Sequence, residues 1–430
     1  MDLKLGVEMH NFAKLLWKFD RSLTGPGVRD TLLEIKNLLP NLQIKSINSG
    51  ERAFDWTIPK EWSVEDAYII TPNGEKICNF KDNNLHLVGY SVPIDTKLVL
   101  SDLKKHLHSL PEQPDAIPYV TSYYNERWGF CIKHSQLKTL KDGEYRVVIE
   151  SSLFDGVLNY GELVLNGALK KEVFLSTYIC HPSMANNELS GPVVTTFLAK
   201  WLMLQKNRKY TYRIIFIPET IGSIAYLSQN ILQLKDQVIA GYNITCIGDD
   251  RAYSYLPSRH GDTVSDNVAK HVLKWIDPNY IKYNWNDRGS DERQYCAPGV
   301  DLPIATIMRT KYGMYEEYHT SLDNLVDVVT PSGLVGGYDA LKKSLEAIER
   351  NSFPKVTVLC EPQLGKRGLY PTMSTKESGK SVRLMMNLIT WSDGKNSLIE
   401  IANKCGVPVW DLYLILDSLI EHQLITLVEE

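Results

Sequence analysis

The stretch Glu172-Val-Phe-Leu-Ser-Thr-Tyr-Ile-Cys-His181 decides the fold: it is an apolar run, rich in β-branched and aromatic residues, that ends on a histidine. Three later runs end in the same manner. Arg213 to Ile217 stops at Pro218-Glu219, and Tyr242 to Ile247 stops at Gly248-Asp249-Asp250. Pro303 to Met308 leads through a glycine turn to Glu316-Glu317-Tyr318-His319. Each run is short enough for a buried strand, and a helical pattern follows each. That alternation predicts an α/β fold with a mainly parallel sheet flanked by helices, its strand carboxyl ends sharing one edge where ligands bind. Residues from His181 to His319 can therefore meet in one site.

Outward from these strands, the helix after His181 has a legible start: Ser190 can cap, Pro192 suits the first turn, and Val193 to Leu204 continues it. Upstream, a helical pattern at Phe12 to Leu16, the turn Thr24-Gly-Pro-Gly27 and a second helix to Leu39 close at Pro40. Short alternating stretches between Asn41 and Leu100, broken by turns such as Pro72-Asn-Gly74, read as a small β-rich unit. Downstream, the helix Leu334 to Ile348 ends the large domain, and Pro354, Pro362, Gly365, Gly368 and Pro371 mark a linker. Leu398 to Cys405, Gly406-Val-Pro408, Val409 to Leu419 and the strand-like Leu424 to Val428 then outline a winged helix-turn-helix. The expected organisation is a large α/β domain of residues 1–40 and 130–350, an inserted β-rich domain at 41–129, a linker at 351–371 and a winged helix-turn-helix domain at 372–430.

Composition narrows the function classes. A chain of 430 residues that is 43% hydrophobic can bury a large core. Its formal charge of -4 gives no electrostatic footprint for nucleic acid or an anionic membrane. No apolar stretch reaches the roughly 18 residues of a spanning helix, and the mixed charges of Met1 to Arg21 do not read as a signal peptide. Seven cysteines without a CxxC pair read as reduced thiols, so a cytoplasmic location is expected. Cys180 reads as a buried strand residue rather than a nucleophile.

His181, Asp249 and His319 supply two imidazoles and a carboxylate, a set suited to zinc or a related divalent ion. Asp250 is the alternative to Asp249. Glu219, on a neighbouring strand end, would be free to take a proton from water. Arg21 and Arg29 flank a Gly-Pro-Gly turn and could face an anionic group. Tyr123-Tyr124 and Trp128-Gly-Phe130 either line a pocket or pack a domain junction.

The segment His181-Pro-Ser-Met-Ala-Asn-Asn-Glu-Leu-Ser-Gly191 resembles the first metal motif of the zinc aminopeptidases of the bacterial leucyl-aminopeptidase and glutaminyl-cyclase type. Pro218-Glu-Thr-Ile-Gly-Ser223 resembles their Glu-Glu-x-Gly segment, and Tyr318-His-Thr-Ser-Leu-Asp323 their last motif. The whole chain resembles more closely the polysaccharide-biosynthesis proteins that carry an aminopeptidase-like domain. That likeness rests on Arg21-Ser-Leu-Thr-Gly-Pro-Gly-Val-Arg29, Leu110-Pro-Glu-Gln-Pro-Asp-Ala-Ile-Pro118, Trp128-Gly-Phe-Cys131 and Gly248-Asp-Asp-Arg-Ala-Tyr-Ser-Tyr255, and runs nearly end to end. The resemblance implies an aminopeptidase core with Glu219 as general base and zinc, one ion or two, or another divalent metal, on His181, Asp249 and His319. Three departures bear on the second ion: Asn187 stands where a bridging aspartate is expected, Thr220 where a second metal-binding glutamate is expected, and Ser183 where an aspartate follows the first histidine. Glu188, beside Asn187, could substitute. Arg288-Gly-Ser-Asp-Glu-Arg293 resembles the Ser-Asp-His segment of related enzymes, so Asp291 could hold a substrate amine, with Arg288 and Tyr318 as further substrate contacts; a solvated charged turn is the alternative.

Three functions follow as expectations: a metal-dependent hydrolase of a small peptide or amide substrate, an amidase or deacylase acting on a sugar precursor, or a non-catalytic ligand sensor with a helix-turn-helix tail. DNA binding by the tail is not expected. Lys376, Lys380, Arg383, Lys395 and Lys404 are outnumbered by Glu377, Asp393, Glu400, Asp411, Asp417, Glu421, Glu429 and Glu430. Protein or subunit contact suits that domain better.

Overall fold

The computed structural model describes residues 2–122, 124–369 and 376–428; Tyr123, Pro371, Glu429 and Glu430, weighed above, lie outside them. Among the described residues the central element is an eight-stranded sheet. Its strands are β1 (Gln43–Asn48), β2 (Val157–Leu165), β3 (Glu172–Tyr178), β4 (Thr211–Ile217), β5 (Val238–Asn243), β6 (Ser254–Leu256), β7 (Ile281–Lys282) and β8 (Ile304–Met308). They lie in the order β1-β2-β4-β3-β5-β8-β6-β7. The consecutive pairs β4/β3, β3/β5 and β5/β8 are parallel, whereas β1/β2, β2/β4 and β6/β8 are antiparallel. Three of these four strands are those read from the sequence, and their carboxyl ends share an edge; β5 runs Val238–Asn243 rather than Tyr242 to Ile247, so Asp249 lies in the loop beyond it and not at the strand end.

Every residue of β3, β4 and β8 is buried, as expected of strands covered on both faces. The charged residues within them are paired. Arg213 donates through Nε to Glu172 Oε2 at 2.6 Å, through Nη2 to Glu172 Oε1 at 2.8 Å and through Nη1 to Glu162 Oε1 at 2.8 Å. The helices Ser190–Leu204 and Ile221–Gln237 follow β3 and β4. Gly191 permits the first of them to approach the sheet: a Cβ there would meet Thr177 Oγ1 at 2.5 Å and the Ile244 carbonyl oxygen at 2.6 Å. The helix begins after a π-helical turn at Ala185–Leu189.

The inserted sheet differs from its sequence outline. It pairs Lys76–Ile77, Glu61–Ile70, Glu144–Phe154 and Ile94–Val99 in that order, so it draws a strand from beyond residue 129 and yields β1 to the main sheet. Two compact units result, one of residues up to Gly261 with Ile281–Asp339, the other of Asp262–Tyr280 with Ala340 onward.

In the second unit, Ser397 and Glu400 form a capping box on the helix Leu398–Cys405, and Gly406 closes it in the left-handed conformation at φ 68°. A 3-10 turn at Val409–Leu412 leads into the helix Tyr413–Glu421 and the strand Ile425–Val428. The segment expected to be a linker is partly a strand: Phe353–Val356 pairs antiparallel with Ile425–Val428. Pro354 is tolerated because the far side of this strand carries only an isolated bridge between Lys355 and Asp393, in which Pro354 serves as acceptor, its carbonyl oxygen taking the Gly394 N–H at 2.8 Å. The helix Val264–Ile276 belongs to this unit, where His271 Nε2 accepts from the Val409 backbone N–H at 2.9 Å and Nδ1 lies 2.8 Å from Asn403 Oδ1. No helix among the described residues is long and apolar enough to cross a membrane.

Candidate active site

His181 follows β3 and Glu219 follows β4, adjacent parallel strands, and the two side chains meet with His181 Nε2 3.5 Å from Glu219 Oε2. The other imidazole nitrogen, Nδ1, lies 3.0 Å from Glu188 Oε2. Glu188 in turn faces Arg21, whose Nε is 3.5 Å from Glu188 Oε1 and donates to the His181 carbonyl oxygen at 3.1 Å. Arg21 and Glu188 have no side-chain exposure at all. Arg21 and Arg29 thus do face anionic groups, carboxylates of the protein itself: Arg29 Nη1 donates to Glu61 Oε1 at 2.7 Å.

The ring of His319 lies 5.8 Å from that of His181, centroid to centroid. Tyr318 stacks on His319 at 3.9 Å, and Tyr119 stands 5.1 Å from His181 and 5.2 Å from His319. Tyr119 had no signal in the sequence. It reaches the site because its backbone N–H donates to the His319 carbonyl oxygen at 2.8 Å, beside a bridge between Pro118 and Thr320. Three residues at the site, Ser183, Thr220 and His319, have φ of 34°, 62° and 57°, positions where a non-glycine residue is strained.

Asp249 does not join the histidines. Its Oδ1 accepts from the Arg251 N–H and from Thr310 Oγ1, each at 2.8 Å; its Oδ2 accepts from the Thr310 N–H at 2.8 Å and Asn186 Nδ2 at 2.9 Å. These four donors use the roughly four acceptor positions of a carboxylate. Asp250 turns to Thr330 and Ser332 instead. Asp323 clamps the turn before the helix, accepting from the backbone N–H groups of Asn186 at 2.7 Å and Asn187 at 3.0 Å.

Asp291 is wholly buried, with Oδ1 accepting from the Thr220 N–H and from Ser223 Oγ, each at 2.8 Å. Through Oδ1 it holds the turn carrying Glu219, while its Oδ2 is buried without a partner among the described residues. Arg288 is exposed and lies over the Trp285 ring at 5.1 Å. Trp128 stacks on His106 and Tyr124 packs edge-on against Trp56, so these aromatics serve packing. Cys180 is buried; its sulfur accepts from the Glu219 N–H at 3.2 Å, and burial pushes the thiol up to about 11.

Burial raises Glu219 above the usual carboxylate range, with His181 and Arg293 pulling in the opposite direction. Burial and then Glu219 raise Asp291 to about 7. Burial, and then His181, push His319 down to about 3, leaving it a neutral imidazole at pH 7. Burial alone would lower His181, but Cys180, Tyr119 and Glu188 against the ring hold it well above its ordinary value.

These residues do not fit a pair of metal ions. Asn187 Oδ1 accepts from Tyr178 Oη at 3.1 Å, leaving Nδ2, a donor that a cation would oppose, buried without a partner. Thr220 Oγ1 accepts from Arg293 Nη2 at 2.7 Å, so a guanidinium occupies the hydroxyl. Among the described residues, the acid, histidine and cysteine groups that converge three together are Cys180, His181 and Glu188, within 4.8 Å. The protonated thiol and the facing Arg21 make that a hydrogen-bonded cluster. The two imidazoles that remain at the site are His181, whose Nδ1 is held by a carboxylate in the manner of a metal-binding histidine, and the neutral His319.

A strand-edge site of this kind, on a sheet of this topology, defines the class as aminopeptidase-like. The zinc aminopeptidase BSAP of Bacillus subtilis shares the fold at a TM-score of 0.59 and 11% identity, covering 80% of this chain and 94% of that one. The chain belongs to the family described as a domain of unknown function, DUF4910, which matches residues 10–351; a winged helix-turn-helix family matches residues 352–427. It is 42% identical over 425 residues to a Clostridium acetobutylicum polysaccharide biosynthesis protein with an aminopeptidase-like domain, covering 98% of this chain and 97% of that one. A crystal structure of a protein from the same organism, provisionally named a peptidase, matches with a TM-score of 0.93 and 41% identity over 99% of this chain and 97% of that one.

Proposed function

We propose that the chain is a metal-dependent hydrolase of the aminopeptidase type, cutting a peptide or amide bond. The observation that carries this reading is Glu219: a carboxylate one-fifth exposed at the carboxyl edge of the sheet, raised by burial and aimed at His181 Nε2. A base poised in this way can take a proton from water at Oε2 and return it to the leaving amine. His181 and His319 would hold a single zinc or other divalent ion, which when bound supplies Lewis acidity toward an amide carbonyl. Glu188 fixes the His181 ring, and Asp291 and Cys180 hold the Glu219 turn. The name of the Clostridium relative favours a substrate among polysaccharide precursors. The free cysteines fit a reducing cytoplasm, and the acidic winged-helix unit suits contact with protein rather than nucleic acid.

A second reading, a ligand sensor without turnover, is favoured by the amide at Asn187 and the guanidinium on Thr220. One experiment separates the two. Protein purified without added metal is analysed for bound elements and then assayed on aminoacyl anilides and N-acylated amino sugars, with Glu219→Gln as control. About one equivalent of metal and turnover lost in Glu219→Gln support the hydrolase; no metal on titration and no turnover favour the sensor.

A further inference from the structure

Arg293 brings a positive charge to the lip of the candidate site, beside the base. The loop Ser290-Asp-Glu-Arg293 wraps the turn that carries Glu219: Asp291 Oδ1 accepts from the Thr220 N–H at 2.8 Å, and Arg293 Nη2 donates to Thr220 Oγ1 at 2.7 Å. Arg293 is exposed, and among the described residues it forms no ion pair. Its partner is a neutral hydroxyl, so one donor fixes the guanidinium while its charge and its other donors stay available. That charge reaches the base: burial raises the Glu219 carboxyl, and His181 and then Arg293 draw it back.

Helix stability does not account for a cation there. Thr220 is the N-cap position of the 17-residue helix Ile221–Gln237, the end whose dipole disfavours positive charge. A glutamate at position 220, as the resemblance leads one to expect, would pair with Arg293 and take up its charge; the threonine leaves that charge for a ligand. An exposed guanidinium held by one nitrogen is a fork for two anionic oxygens, bidentate to a carboxylate or a phosphate. Because Thr220 follows Glu219 directly in the chain, an anion on that fork lies within a side chain's reach of the bond that Glu219 serves. We propose that Arg293 is the specificity residue of this site, and that it selects an amide whose neighbouring substituent is a carboxylate or a phosphate. That the anion belongs to a hydrolysed amide rests on the hydrolase reading above; recognition of the anion does not.

Calorimetric titration of the full chain with two matched pairs tests it: N-acetylglycine against N-acetylglycinamide for the carboxylate, and N-acetylglucosamine 6-phosphate against N-acetylglucosamine for the phosphate. At low ionic strength at least one anion should bind about tenfold or more tighter than its neutral partner, as charge-assisted hydrogen bonds do. The pair that shows the preference tells which anion the site takes, and added salt should shrink it because the guanidinium is exposed. Arg293→Gln, which removes the charge and keeps a donor, should bring the members of that pair within about twofold. Arg293→Lys, which keeps the charge without the fork, should fall between, and thermal melts report the fold of each variant. No preference for either anion in the wild type, or no saturable binding of either up to roughly 50 mM, well above the millimolar range of weak ligands, would overturn the proposal. So would a preference that survives in folded Arg293→Gln, or a variant that weakens charged and neutral members by the same factor, as expected of a residue that only holds the Glu219 turn. An Arg293-dependent preference with no turnover of any amide sinks the hydrolase reading alone. Turnover of neutral amides with no gain from either charge sinks the specificity assignment alone.

Discussion

Glu188 lies behind His181, its Oε2 3.0 Å from Nδ1, and so fixes which nitrogen of the ring faces Glu219. Carboxylates in this position typically account for 10–100-fold in metal affinity. Glu188→Gln should therefore weaken zinc binding by roughly that factor. It should also lower the melting temperature, since Arg21 would be left buried against a neutral amide, a loss of about 3–5 kcal/mol for broken buried pairs. Metal titration and thermal melts check the two effects separately, and unchanged affinity in a destabilised variant would assign Glu188 to stability alone.

Glu219→Gln should reduce kcat by about 100-fold to 10,000-fold, the usual contribution of a general base, with metal content near that of the wild type. His181→Ala and His319→Ala should instead lose metal. Elemental analysis of the three variants side by side decides: if Glu219→Gln loses its ion as completely as His181→Ala, Glu219 is a ligand and its assignment as base fails.

The strands were legible because β-branched and aromatic runs of strand length recur ahead of helical patterns, and the order of the parallel strands then puts His181 and Glu219 side by side. The loops were not. Whether Asp249 or Asp250 turns inward depends on donors from Asn186 and Thr310, more than fifty residues away in either direction. Tyr119 arrives from the inserted region through backbone pairing with the His319 segment, a contact that leaves no periodic trace. The strained conformations at Ser183, Thr220 and His319 fall on residues other than glycine, the usual marker in sequence of a positive φ. Phe353–Val356 read as linker because Pro354 breaks a central strand, and here the strand pairs fully on one side only, with an isolated bridge to Asp393 on the other.

The winged-helix unit should not bind DNA selectively. Its helix Tyr413–Glu421 carries Asp417 and Glu421 and no lysine or arginine, and Asp417 pairs with Arg350 Nη2 at 2.6 Å. Phosphate contacts require the opposite sign. Fluorescence anisotropy of the full chain with labelled duplexes should show no sequence preference and little dependence on salt; selective binding that weakens steeply with salt would reverse the assignment.

Asp291 gives stability a pH dependence of predictable sign. Its carboxyl is raised from an ordinary 3.8 to about 7 in the folded chain by burial and by Glu219, so between these values the folded state binds more protons than the unfolded state. Stability attributable to this group must therefore fall as pH rises from about 4 to 7, and level off above. Asp291→Asn keeps an oxygen for the Thr220 N–H and removes the titration. The variant should gain on the wild type across that window by about 1–4 kcal/mol, read as a growing difference in unfolding midpoint. A constant difference from pH 4 to 8 would mean that Asp291 ionises normally.

Asn187→Asp probes the proposal that the site holds one ion rather than two. In the native chain Asn187 Oδ1 takes the Tyr178 hydroxyl, and Nδ2 is left as a buried donor with no partner. Aspartate would keep an acceptor for Tyr178 and replace that donor with a second carboxylate oxygen, able to hold a cation. Thr220 remains bound to Arg293, so the single change supplies only one of the two missing carboxylates. The expected result is a rise in bound metal from about one equivalent toward two in Asn187→Asp combined with Thr220→Glu, with a partial rise in Asn187→Asp alone. Metal stoichiometry by elemental analysis after dialysis provides the readout, independent of any substrate. A double variant that folds and still holds one equivalent would show that the amide and the hydroxyl are not what limits the site, and would shift the cause to Asp249, whose oxygens are committed to Asn186, Arg251 and Thr310.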